Sequence, residues 1–144
     1  DDSRFREDFS LKSIGKAKLA RYILTCITNV SQGDSIQALV EDEKVTTLEH
    51  IMPKAKNQHW KKAAKDDTEY NENVNRLGNL TLIERDKNRA ASSASFEKKK
   101  LAYRESEIEL TKELVKYDNW SVEDIDKRQR KLASLAVKAW PLPY

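Results

Sequence analysis

What this 144-residue chain has little of narrows its possibilities before any motif is read. It contains one cysteine, Cys26, which excludes a disulfide within the chain. Cys26 falls at an apolar position of a helical pattern, so a buried thiol is expected, in keeping with a reducing cytoplasm. Two histidines and one cysteine cannot build an ordinary tetrahedral zinc site. Glycine and proline number three each, which excludes fibrous and linker-like compositions. No apolar run is long enough to span a bilayer and no signal peptide is evident, so no membrane is expected among the partners. Neither charge sign dominates: 27 lysines and arginines face 24 acids, and a net charge of +3 does not by itself argue for nucleic acid.

What is present is 35% charged and 38% hydrophobic residue content, the balance of a globular, helix-rich protein. The length suits one domain, read as a helical scaffold over 1–44, a core over 45–104 and closing helices over 105–144. The missing initial methionine suggests excision from a longer protein. Residues 1–12, anchored only by Phe5 and Phe9, read as a short helix or docking arm. From Ser13 onward, Leu19, Tyr22, Ile23, Cys26, Ile27 and Val30 recur at helical spacing, with Lys16, Lys18 and Arg21 expected in solvent. Residues 45–52 favour a strand closed by Pro53, and 80–83 a second strand introduced by Gly78 and paired with the first. Between them, 54–76 reads as a loop with one helical turn over 60–65.

Beyond the second strand, Asp86 is expected to cap a helix that Ser92 and Ser93 interrupt and Ser95 restarts. Ser121 with Asp124 makes a capping box for the last helix. Its apolar face is Ile125, Leu132, Leu135, Ala136, Ala139 and Trp140, and Pro141 and Pro143 stop it. The expected fold class is therefore α+β and mostly helical.

Two stretches carry the chemistry. Glu49-His50-Ile51-Met52-Pro53 ends the first strand, and Asn79 to Arg89 spans the second strand and the next helix start. Cutting a phosphodiester needs a base, a cation and a group that orients the base. His50 is the base candidate whose ordinary pKa lies near neutrality. Glu49 offers a hard carboxylate oxygen and Asn88 an amide oxygen, a sparse pair suited to Mg2+ or Mn2+. Asn79, expected across the strand pair from His50, would fix its tautomer. Arg85, Lys87 and Arg89, with Lys98, Lys99 and Lys100, are candidate phosphate contacts, and a solvated helix face is the plainer reading of such runs.

The order Glu49-His50-Ile51-Met52-Pro53, then Gly78-Asn79-Leu80-Thr81-Leu82, then Asp86-Lys87-Asn88-Arg89 resembles an HNH, or ββα-metal, nuclease core. More closely, it is similar to the C-terminal HNH-like domain, with its His-x-x-Pro motif, of GmrSD-type type IV modification-dependent restriction enzymes and related phage-defence proteins. The HNH domain of RNA-guided CRISPR effectors has a similar pattern. Phe96, Lys99, Arg128 and Trp140 resemble that family's C-terminal half more loosely.

The resemblance implies a ββα core packed by N- and C-terminal helices, with His50 as general base and Glu49 and Asn88 as metal ligands. Asn79 would orient the histidine and Asp86 serve as a support or outer ligand. It implies DNA as partner, phage or modified DNA included, a bacterial cytoplasmic setting, and an N-terminal nucleotide-binding sensor domain elsewhere in the full protein. Two departures stand out: Glu49 occupies a position where many such sites have Asp, and Asn88 one where many have His. The rival readings are a non-cleaving nucleic-acid-binding module of the same fold and a helical interaction domain docking through the Phe5 and Phe9 arm.

Overall fold

A computed structural model describes residues 1–10, 13–89 and 91–140. Its helices are α1 (Asp2–Ser10), α2 (Ala17–Gln32), α3 (Gln37–Glu41), α4 (Asp67–Asn73), α5 (Arg85–Asn88), α6 (Phe96–Arg104), α7 (Glu109–Lys112) and α8 (Val122–Ala139). Two strands, β1 (Thr46–His50) and β2 (Leu80–Glu84), pair antiparallel, with Thr46 opposite Glu84 and His50 opposite Leu80. The fold is mostly helical around this small sheet, as expected. The strands are joined by the long excursion 51–79 rather than by a tight turn.

The sheet divides the core because side chains alternate between its faces. Leu48, Leu80 and Leu82 join a cluster with Leu24 and Ile27 of α2 and Leu132 and Ala136 of α8. Ile83 belongs to a second cluster with Ile51, Met52, Trp60, Tyr70, Phe96, Tyr103 and Trp120. Every residue of β2 is buried, so this strand is covered on both faces.

Helix α2 forms where its periodicity places it, but with a different face inward. The buried residues are Ala20, Leu24, Thr25, Ile27 and Thr28, while Leu19, Tyr22 and Val30 are exposed and Cys26 is only half-buried. Small side chains allow close approach, and the Thr25 and Thr28 hydroxyls donate to the Arg21 and Leu24 carbonyls one turn back. Two threonines thus pass as core residues. Arg21, expected in solvent, instead donates to the carbonyls of Val40 and Thr46, tying α2 to the start of β1.

The excursion also holds more structure than a loop. Asp66 caps α4 by accepting from the Glu69 amide at 2.8 Å, and the buried Tyr70 hydroxyl donates to the Pro53 carbonyl. Helix α5 begins two residues earlier than expected, so Asp86 lies exposed inside its first turn and does not cap it. Ser95 does restart the chain as the cap of α6, and the Ser121–Asp124 capping box opens α8. Pro141 and Pro143 lie outside the described residues.

Candidate functional site

Strand β1 delivers Glu49 and His50 at its C-terminal end, and the pleat sends their side chains to opposite faces. Glu49 turns toward α6. Its Oε2 accepts from the Lys99 ammonium at 3.1 Å and from the Tyr103 hydroxyl at 2.6 Å, and it is 3% exposed. Lys99 and Tyr103 lie four apart on α6, so both reach the same carboxylate. Burial pushes the Glu49 carboxyl up and the Lys99 ammonium down, and each charge opposes the shift of the other. Burial, then the Glu49 charge, holds the Tyr103 hydroxyl well above its ordinary pKa, so it remains a donor.

This arrangement corrects one expectation outright. Lys99 is fully buried and cannot meet a phosphate; besides pairing with Glu49 it donates to the His50 carbonyl at 2.7 Å. Lys100 is largely turned inward too, over the Phe96 ring and against the Tyr117 carbonyl, and only Lys98 of the three is exposed. Arg85 and Arg89 are exposed as expected, although Arg85 Nε donates to the Glu43 carbonyl at 2.8 Å. Lys87 is half-buried and paired with Glu84 at 2.8 Å.

His50 is half-buried, and its Nε2 lies 3.0 Å from Asn75 Oδ1. Burial lowers its pKa, with the Asn75 hydrogen bond opposing and the charges of Lys54 and Lys99 adding to the drop. The ring is therefore held toward its neutral, proton-accepting form.

Asn79 was expected to make the contact that Asn75 makes. Its amide is fully committed elsewhere: Oδ1 accepts from the Met52 amide at 2.8 Å and the Trp120 indole at 3.0 Å, and Nδ2 donates to the Met52 and Val74 carbonyls, each at 2.9 Å. The Asn79 carbonyl also accepts from the Ile51 amide. Asn79 therefore clamps the segment that follows His50 to the segment that precedes Asn75. Arg128 braces the same turn from α8, donating to the Gly78 and Leu80 carbonyls at 3.0 and 2.6 Å. Gly78 lies so close to the Ile125 carbonyl and Gln129 that no Cβ fits there.

Asn88 sits at the other end of the sheet. It lines an open hollow of about 330 Å3 with Thr47, Arg85, Arg89 and Ser92, and a neighbouring hollow of about 430 Å3 is lined by Lys44, Arg85, Lys87 and Arg89 among others. Thr47 and Glu49 share a strand face, roughly 7 Å apart along the chain. Asn88 is thus on the Glu49 side of the sheet, whereas His50 and Asn75 meet at its far end.

The oxygen donors test unequally against a divalent ion. Asn88 Oδ1 is buried with no hydrogen-bond partner among the described residues, and such an orphaned oxygen suits a hard cation. Glu49 is already neutralised by Lys99. Among the described residues, no three or more His, Cys, Asp or Glu side chains gather where they could hold a metal.

Asn75, Tyr103 and Trp120 complete this set and were not singled out from sequence. The one local signal was the i, i+4 spacing of Lys99 and Tyr103. No curated protein matches the chain. The family model for the C-terminal domain of GmrSD restriction endonucleases matches residues 1–135, and the chain belongs to that family.

Proposed function

We propose that this domain is a metal-dependent DNA endonuclease with an HNH-like core, in which His50 is the general base. The observation that carries the reading is the His50 imidazole at the end of β1, held at one nitrogen by Asn75 and kept toward neutrality by burial. Family membership supports a restriction-related role, with DNA as substrate.

In this mechanism His50 takes a proton from water, whose oxygen bonds to phosphorus as the bond to the 3′ oxygen breaks in line. The departing 3′ oxygen takes the bonding pair and a proton from solvent water to become a 3′ hydroxyl, His50 returns its proton to solvent, and the phosphate stays on the 5′ end. Asn88 would hold Mg2+ or Mn2+, with Glu49 joining it only by exchanging its Lys99 counterion, and the ion would supply charge neutralisation at the phosphate. Arg85 and Arg89, exposed beside Asn88, would contact flanking phosphates without reading sequence. Lys98, exposed on α6, would extend that contact, and Asp86 would act only from the rim.

Nicking of supercoiled plasmid in Mg2+ or Mn2+ tests the reading. Cleavage should stop with chelator, and His50→Ala should lower it by about 100-fold or more, the usual worth of a general base. Undiminished cleavage by His50→Ala would overturn the mechanism.

One observation favours a second reading, a non-cleaving nucleic-acid-binding module. The Glu49 carboxylate already has Lys99 as its counterion, so the site has its charge balanced from within. That reading expects salt-dependent DNA binding that is indifferent to metal and to Asn88→Ala.

A further inference from the structure

We propose that Asn75 is the positioning residue that sets the tautomer of His50, placing the ring proton on Nε2 and leaving Nδ1 as the atom that accepts a proton. The inference rests on the general-base reading for its catalytic meaning, while the tautomer itself is a property of the folded chain.

Asn75 Oδ1 is an amide oxygen and has no proton to give, so at 3.0 Å from Nε2 the shared proton belongs to the ring. With Nε2 protonated in the neutral ring, the lone pair lies on Nδ1. Nδ1 has no partner among the described residues.

The placement of Asn75 is built from both sides. Its own carbonyl accepts from the Ile14 amide at 2.8 Å, and the neighbouring Arg76 pairs with Ser13 in an isolated bridge. The Arg76 guanidinium is fastened to Asp126, to Asn73 Oδ1 at 3.0 Å and to the Ser10 carbonyl at 2.6 Å. On the other side, Val74 is held by Asn79 Nδ2 at 2.9 Å. The ring is fixed with equal care: Lys99 holds the His50 carbonyl, and Asn79 holds Met52 by its amide and carbonyl. Asn79 thus sets the distance between the two segments, and among the described residues Asn75 is the one that hydrogen-bonds the imidazole. A side chain at the hinge of so many backbone anchors can orient a ring without moving itself, as an outer partner of a catalytic histidine must.

The test uses 15N-labelled histidine in the intact 144-residue chain at a pH where His50 is neutral, with His50 assigned by comparison with His50→Gln. The expected spectrum shows a pyrrole-like Nε2 carrying a slowly exchanging proton and a pyridine-like Nδ1. Asn75→Leu should average the two nitrogen shifts and lose the slow proton, while Asn75→Asp, which keeps an acceptor oxygen, should restore both. In the plasmid assay Asn75→Leu should lower kcat about 10–100-fold with KM unchanged. A pyrrole-like Nδ1 in the parent protein overturns the proposal, whatever the variants do. So does an Asn75→Leu spectrum identical to the parent. Because the spectra are read without substrate, a failed cleavage assay would sink the nuclease reading and leave the tautomer assignment to stand or fall separately.

Discussion

The two ends of the sheet treat their asparagines in opposite ways. Where His50 faces Leu80, Asn79 is fully buried and its side chain makes four hydrogen bonds. Just past the end where Thr46 faces Glu84, Asn88 buries an oxygen that bonds to nothing among the described residues. A buried polar atom left unpaired costs about 1–3 kcal/mol, so the first amide repays its burial in structure and the second does not. The contrast separates scaffold from site: Glu49, Lys99, Tyr103, Asn79 and Trp120 satisfy one another, while Asn88, Arg85 and Arg89 line an open hollow.

The closed region should break hardest at Lys99. Lys99→Met strands the Glu49 carboxylate in the core and should lower unfolding stability by about 3–5 kcal/mol in urea titrations. Adding Glu49→Gln should recover part of the loss, since the uncompensated charge is then gone. A single-variant loss below about 1 kcal/mol would mean the pair is not buried as described.

Asn79→Ala should come next. It leaves the Met52 amide, the Trp120 indole and the Met52 and Val74 carbonyls without their partner, and the expected cost is about 2–4 kcal/mol in the same titration. If stability held while cleavage vanished, Asn79 would belong with the site after all, and the comparison between the two ends would fail.

How much of this was legible in sequence depended on how local each interaction is. The Ser121–Asp124 box and the Ser95 restart are contacts within one turn, and both elements begin where the residues say. The α4 cap was equally local, Asp66 three before Glu69, but the segment holds too few apolar residues to advertise a helix by periodicity. The face of α2 was misjudged because hydrophobicity favoured Tyr22 and Val30 over Ala20 and Thr28, whereas close packing and back-bonded hydroxyls favoured the reverse.

At the site, Glu49, His50 and Asn88 were legible as residue types, and the partners were not. A helix turns about 100° per residue, so of Lys98, Lys99 and Lys100 only one can point straight inward, and the run itself does not say which. The bonds from His50 to Asn75 and from Glu49 to Lys99 join segments 25 and 50 residues apart. Such pairings are fixed by the whole fold. Asn79 was the natural choice for the histidine's partner because it starts the opposite strand; its amide was already claimed by Met52, Val74 and Trp120.

Asn88→Ala should have the smallest effect on stability, and for that reason it is the sharpest test of the open end. Removing an amide whose oxygen has no partner takes away no hydrogen bond to that oxygen and relieves a desolvation cost, so stability should stay within about 0.5 kcal/mol of the parent. Cleavage should nevertheless fall steeply, and added Mn2+ should raise the melting temperature of the parent protein but not of Asn88→Ala, because only a folded state with an ion-binding oxygen is stabilised by the ion. A destabilisation like that of Asn79→Ala would reveal a partner for Asn88 and make both ends scaffold. Unchanged cleavage together with an unchanged Mn2+ response would assign the orphaned oxygen no ion, whereas absence of cleavage in the parent itself would, with the balanced charge of Glu49 and Lys99, favour a domain that holds DNA without cutting it.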